Sequence, residues 1–413
     1  MRILWFTPTP SLAEDYLKNT PMNGGFIKAL EKEIQDKVEL SIAFYHREEL
    51  QFFAYGETIY YPITQNHNSF ISTLKKRLLN EIEPISDINK CRDIIDIVQP
   101  DLIHIHGTER PFGLILKYTS IPTVISIQGN ITAYEQKFFS GISWLSVLKY
   151  TNLKSWFFFN SYLSHFIRFK KQAIREKAIF KLSKNFIGRT NWDRRITKVL
   201  SPNANYFHND EALKEVFYEG KWEKKLEGTL NLFTINAPNI YKGIETLIHC
   251  AYLLDQNNID FTWKIAGLNT NDNLIYIARK SIHKKLSKNI QFVGRLDDRK
   301  IKEHILDSHI YVAISHIENS PNSLCEALIL GAPCIATNAG GTSNFIEDGN
   351  DGILIQDGDA YSMAGAIIEM KEDYDRAINY GINARKKALI RHDKEVIVSD
   401  LLKIYKDILD KKK

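Results

Sequence analysis

ISHIENSPNSLCEALILGAPCIATNAGGTSNFIEDGNDGILIQDGD, the stretch from Ile314 to Asp359, decides the fold of this chain. It opens with a polar loop, Asn319 to Ser323, ahead of an apolar helix predicted over Leu324 to Leu330 and stopped at Gly331. Glycine just past the last apolar residue is a common helix stop, because it enters the left-handed region without a Cβ penalty. Pro333 then opens a short apolar strand, Cys334 to Ala336, and a glycine pair, Gly340 and Gly341, follows. Strand, polar loop, helix, strand and glycine-rich loop is the order of an open parallel sheet, whose ligand site lies beyond the carboxyl ends of the strands. The loop running through Asn322 and Ser323 to Leu324 offers backbone N–H groups at a helix N-terminus, which suits phosphate. Gly340 and Gly341 let the backbone come close to a ligand. Glu318, in the loop, and Glu326, in the expected first helical turn, can both accept hydrogen bonds from hydroxyls. Phosphate donors beside hydroxyl acceptors describe a site for a sugar nucleotide.

These residues closely resemble the E-x7-E signature of retaining glycosyltransferases of family 4, and ENSPNSLCEA resembles the variant of bacterial capsule and lipopolysaccharide enzymes. The resemblance extends to GRTNWD (Gly188 to Asp193), YKG (Tyr241 to Gly243) and VGRL (Val293 to Leu296). It covers the C-terminal half well and the N-terminal half more loosely. It implies the GT-B fold, in which two Rossmann-like doubly wound α/β domains face a cleft and a C-terminal helix crosses back to the N-terminal domain. It also implies that Glu326 meets the ribose hydroxyls of the donor, Glu318 the transferred sugar, and Lys242 the diphosphate.

The chain departs from the family pattern at two places. The loop before Lys242 reads NAPNI and lacks the family's Arg, so Arg295, after Gly294, is the substitute cation considered for the leaving group. The strand Thr123–Ile127 ends in Gln128, where the family often has His near the donor sugar. Gln keeps hydrogen bonding and loses titration. Asn23-Gly24-Gly25 precedes a helix and resembles the family's loop over the diphosphate, which makes Gly24 and Gly25 donor-site candidates.

A chain of 413 residues is too long for one ordinary core and fits two domains. The expected N-terminal domain is 1–216, the linker 217–228, the nucleotide-sugar domain 229–393 and the crossover helix 394–413. No apolar run reaches the roughly 18 residues of a membrane span, and the start, MRILWFTPTP, reads as a buried strand rather than a signal peptide. Four cysteines without paired metal-ligand spacing fit a reducing, cytoplasmic setting. Charge is uneven: residues 137–198 hold 14 Lys and Arg against two acids, a net +12 in a chain of +5. This window reads either as a helical insertion with solvated charges or as an amphipathic patch on anionic lipid at the inner face of the plasma membrane.

Short apolar runs predict strands at Ile3–Phe6, Glu39–Phe44, Leu102–His106, Thr123–Ile127 and Asn185–Gly188, with helices between them. Residues 52–84 are expected to hold loops and one helix. The second half restarts at Thr229–Ile235 and alternates again to Ile353–Ile355.

Further cleft candidates are Arg189, which binds acceptor or phosphate or else pairs with Asp193, and His208 and Glu211 near the interdomain crossing. His106 is another: with His104 it shares one strand face, and the pair reads as packing, with His106 toward the cleft. Asp357-Gly358-Asp359 and Asp348–Gly352 read as turns, and no metal or cofactor is expected.

The expected function is transfer of a hexose-type sugar from a nucleotide-diphosphate sugar to a glycan or lipid-linked saccharide. The alternative is an inactive sugar-nucleotide-binding scaffold of a polysaccharide complex. A phosphorylase or epimerase of the same fold is a further reading. Nucleic acid is not an expected partner.

Overall fold

The computed structural model describes residues 1–17, 25–65, 70–84 and 86–411. The N-terminal half builds an eight-stranded sheet from β1 (Arg2–Thr7), β2 (Glu39–His46), β3 (Phe53–Tyr55), β4 (Thr58–Thr64), β5 (Leu102–His106), β6 (Thr123–Ser126), β7 (Asn185–Gly188) and β8 (Asn205–His208). Its order is β3-β4-β2-β1-β5-β6-β7-β8, parallel throughout except for the β3–β4 pair. The second half builds a wholly parallel sheet from β9 (Leu230–Ile235), β10 (Phe261–Ala266), β11 (Ile290–Gly294), β12 (Ile310–Ala313), β13 (Cys334–Thr337) and β14 (Ile353–Ile355). Its order is β11-β10-β9-β12-β13-β14. Each order runs outward in both directions from its first strand, so each sheet has a switch point, β1/β5 in the first and β9/β12 in the second. These are the places where an open α/β sheet binds ligands.

The central strands are apolar along their length because helices cover both faces. β1 is buried from Ile3 to Thr7, and β5 is buried throughout. The final helix, Lys394–Asp410, leaves the second half and packs on the first sheet, as the resemblance implies. Its Ile397, Leu401, Ile404 and Tyr405 share one core with Trp5, Ile27 and Leu30. The Tyr405 hydroxyl accepts from Trp5 Nε1 (3.0 Å) and meets His104 Nδ1 (2.6 Å).

Two expectations change. Residues 53–64 form the β3–β4 ribbon rather than a loop. The stretch 215–228 is not a plain connector: Glu215–Tyr218 is a helical turn, and Phe217 and Trp222 are buried against the second sheet's core. Trp222 Nε1 donates to the Ser308 carbonyl (2.7 Å).

Candidate active site

The loops after β9 and β12 meet at the second switch point. After β9 the chain makes a single 3-10 turn, Ile240–Lys242, and Gly243 (φ 74°) starts the next helix. A Cβ on Gly243 would overlap the Ile314 carbonyl oxygen, so only glycine allows this approach. The Tyr241 carbonyl accepts from the His316 N–H (2.8 Å), and Asn236 Nδ2 donates to the Lys242 carbonyl (3.1 Å). The two loops are thereby fixed to each other.

Lys242 Nζ reaches the Glu318 carboxylate as an ion pair, and Ser315 Oγ donates to the same oxygen (2.7 Å). Both residues line a cavity of about 120 Å³ with Ser323, Asn236, Thr337 and Thr342. The helix that ends this loop begins at Asn322, two residues earlier than expected, with Pro321 at its N-cap and no side chain capping it. The Leu324 N–H is used, donating to the Pro321 carbonyl (2.9 Å). Anion binding at this terminus therefore falls to the amides of Asn322 and Ser323.

Glu326 lies one turn further along, half-buried, and no described side chain hydrogen-bonds its carboxylate. Burial pushes this carboxyl up to about 8, against the pull of Lys214 and with Asp298 adding to the rise. Helix-terminus charge is thus not what retains Glu326. Its position deeper in the helix separates it from the first turn, where the macrodipole acts.

The glycine pair is spent on packing within the protein. Gly340 (φ 61°) and Gly341 lie against the backbones of Glu318 and Asn319, and the Gly341 N–H donates to the Glu318 carbonyl (2.9 Å). The pair therefore holds the Glu318 loop and does not open a path to a ligand by itself. Arg295 is exposed just past β11, outside the Lys242–Glu318 cavity, with no ion pair among the described residues.

From the N-terminal half, Gln128 reaches this loop through its backbone. Its carbonyl accepts from Asn319 Nδ2 (3.2 Å), while Thr190 Oγ1 donates to Asn319 Oδ1 (2.7 Å). The Gln128 side-chain amide is buried without a partner among the described residues. Beside it stands Glu109, which no sequence signal singled out. Its carboxylate accepts from the Gly129 N–H (3.1 Å), and burial lifts it to about 7. Tyr134 and Tyr241, in edge-to-face contact, feel both Glu109 and Glu318. Gly25 (φ 54°) begins the helix Gly25–Ile34, and Gly24 lies outside the described residues.

Arg189 and His106 are placed elsewhere. The Arg189 guanidinium stacks on Phe26 and pairs with Glu211 (3.6 Å), while Asp193 takes the Arg189 backbone N–H instead. His106 is buried, stacked on His104 and against Trp5, and lines a small cavity with Arg189 and Glu211. Burial and the neighbouring His104 and Arg189 hold it neutral. His208 is exposed and pairs with Asp210 (3.1 Å).

Glu211 is a buried hub. Ser320 donates to its carboxylate, and its carbonyl meets His392 Nδ1 (2.8 Å). Although burial opposes it, the carboxyl is held down at about 2 by Arg189, His392 and Arg391. With Cys325 and His392 it forms the one group of three metal-type ligands among the described residues. Two arginines already supply the positive charge a cation would bring there.

The region from 221 to 387 matches the family model described as glycosyl transferases group 1. This region, about two fifths of the chain, is similar to that family. The chain is 31% identical over 130 residues to N-acetyl-alpha-D-glucosaminyl L-malate synthase of Bacillus anthracis, which covers 32% of this chain and 33% of that protein. It is 26% identical over 197 residues to poly(ribitol-phosphate) alpha-N-acetylglucosaminyltransferase of Staphylococcus aureus, covering 42% and 39%. The matched stretches thus span between a third and two fifths of these relatives. Sucrose-phosphate synthase from Thermosynechococcus elongatus superposes over 99% of both chains with a TM-score of 0.74 at 13% identity. The fold is GT-B, and the matched region carries Lys242, Glu318 and Glu326.

Proposed function

We propose that this protein is a retaining, metal-independent glycosyltransferase. It moves a hexose-type sugar from a nucleotide-diphosphate sugar to a glycan or lipid-linked saccharide in cell-surface polysaccharide synthesis. The observation that carries the reading is the junction of Lys242, Glu318 and the uncapped helix start at Asn322–Ser323 around one cavity at the β9/β12 switch point. Negative charge grows on the departing diphosphate while the sugar passes through a cationic state. Lys242 and the two helix-terminal amides stabilise that charge from fixed positions, which is the main source of rate here. Glu318 faces the sugar and holds Lys242 in place before the donor arrives. Glu326 accepts from the ribose hydroxyls, and Gln128 hydrogen-bonds a sugar hydroxyl through its unpaired amide. Neither glutamate serves as the acid–nucleophile pair of a hydrolase.

The protein works as a cytoplasmic enzyme at the inner face of the plasma membrane. Trp144, Leu145, Leu153 (86% exposed) and Phe157 (75% exposed) stand out from two short helices that also carry Lys149 and Lys154. Apolar side chains among lysines suit an anionic lipid surface. Sedimentation with anionic vesicles, lost in Leu153→Glu/Phe157→Glu, tests this contact.

The first experiment is a thermal-shift screen against UDP-, GDP-, ADP- and CMP-sugars, with Glu326→Ala as control. A donor at 100 times its dissociation constant stabilises by about 2.7 kcal/mol. A shift with one nucleotide, lost in the control, supports the donor site. Turnover that survives chelator and gives a product of unchanged anomeric configuration supports the mechanism. Donor binding without turnover on any acceptor favours the scaffold.

A further inference from the structure

A cavity of about 720 Å³ lies beside the candidate active site and not within it. Its walls come from the helix Phe70–Leu78, the helix Tyr162–Leu182 and the loop before residue 87, and Asn239 of the matched region closes one side. Phe138 and Phe169 form an apolar wall. Both rings lie near Tyr241 (6.2 and 6.3 Å between centroids), the residue before Lys242. The cavity therefore adjoins the place where transfer would occur.

Its charge is not balanced. Glu83 is committed to Arg110 and Arg175, and Asp87 sits by Lys90. Glu81, also on the rim, is exposed. Arg77 and Arg168 face the cavity with no ion pair among the described residues. One terminal nitrogen of Arg168 is fully buried and has no hydrogen-bond partner among the described residues. A buried guanidinium N–H without an acceptor is costly and has to be met by something. The mutual effect of these cations is visible nearby. His165 is driven down to about 4 by burial and by Arg168 and Arg77, and Arg168 itself is lowered by burial and by Arg77.

We infer that this cavity binds the acceptor and that the acceptor is anionic: a phosphate or carboxylate group sits between Arg77 and Arg168 while its polyol or sugar portion lies along Phe138 and Phe169 toward Lys242. This rests on the glycosyltransferase reading for the word acceptor, but not for the anion site. Guanidinium groups suit both oxyanions through paired N–H bonds, and an aromatic wall suits the C–H face of a polyol.

The test uses the full chain and three small probes: glycerol 3-phosphate, glycerate and neutral glycerol, followed by ligand-observed NMR titration. The two charged probes are expected to bind, more weakly as ionic strength rises, and glycerol is not. Arg168→Gln and Arg77→Gln each weaken the charged probes by about tenfold or more, and Arg168→Lys recovers part of the loss. The stronger of the two charged probes identifies the group as phosphate or carboxylate. Arg77 is a half-buried residue on a peripheral helix, so its variant keeps the test open if Arg168→Gln folds poorly. Equal binding of glycerol, no binding of either charged probe, or unchanged affinity in both variants would overturn the inference. Nucleotide-sugar thermal shifts are expected to be the same in wild type and both variants. Charged-probe binding lost in the variants, in a protein that no nucleotide sugar stabilises, leaves the anion site standing and removes the glycosyltransferase reading alone.

Discussion

Glu326 destabilises the free protein and is useful only when hydroxyls face it. Its carboxyl lies at about 8 when folded, against an unfolded value near 4.3. The folded state therefore holds the extra proton between these values, and stability falls as pH rises through that window. Glu326→Gln removes the titration while keeping the shape. Denaturant titrations are expected to find the variant more stable than wild type by about 1 kcal/mol or more at pH 8 and equal at pH 4, while its response to the nucleotide sugar is weaker. Equal stability at both pH values would mean that the carboxylate is well solvated. Glu318, Ser323 and Glu326 were legible in the sequence because one loop-helix motif sets them at fixed local spacing, whereas Lys242, 76 residues before Glu318, was named through the family resemblance. Glu109 was not legible, and Glu211 was named only for its place near the interdomain crossing. Glu211 meets Ser320 across 109 residues, and Glu109 gains its character from burial beside Gly129. No local pattern encodes either.

At the scale of elements, the glycine loop after β13 sets the height of the Glu318 loop. A Cβ at position 340 would overlap the Glu318 carbonyl oxygen, and φ there is 61°. Gly340→Ala is expected to cost more than about 2 kcal/mol by denaturant titration and to weaken the nucleotide-sugar shift. A fully stable variant would mean that the loop relaxes freely. The His316 turn after β12 gives a pH signature of its own. Burial lowers the imidazole's affinity for a proton, but Glu245 (2.6 Å) and Asp357 outweigh it and raise its pKa. The stability it adds is fully present below pH 6.5 and is lost as pH rises through the raised value. His316→Gln should therefore cost most at pH 5–6 and progressively less in more alkaline buffer, and a pH-independent cost would exclude the ion pair as its source. The helix starting at Asn322 and strands β9 to β14 follow their apolar periodicity to within a residue or two. The β3–β4 ribbon escaped notice because Pro62 interrupts a strand pattern. Pro62 sits past the end of β3, where that side of β4 is an open edge and a missing donor breaks no ladder.

Across the whole molecule, the two halves are tied at the cleft by Asn319, between Thr190 and Gln128, and behind it by the helix Lys394–Asp410. The resemblance implied that this helix returns to the N-terminal domain, but no sequence pattern gave the residues it meets there, because Trp5 and Tyr405 are 400 residues apart. Tyr405 is the polar pin of this contact. Its hydroxyl accepts from the Trp5 indole and meets His104 Nδ1, and His104, held neutral at about 3 by burial and Arg189, has its other nitrogen on Ser126 (2.7 Å). Tyr405→Phe keeps the ring in the core and deletes only the oxygen. It leaves the buried Trp5 indole N–H and His104 Nδ1 without this partner, a loss of about 1–3 kcal/mol. The cost falls on the N-terminal sheet, and Tyr405 does not line the β9/β12 cavity. Equilibrium unfolding of Tyr405→Phe should therefore give a lower midpoint, while the extra stabilisation from a bound nucleotide sugar stays at the wild-type value. A midpoint equal to wild type would mean that the helix is held by its apolar residues alone. A lowered midpoint together with a lost donor response would mean that the crossover helix governs the cleft itself, through the seating of one half on the other or through His392 and Glu211 to Ser320.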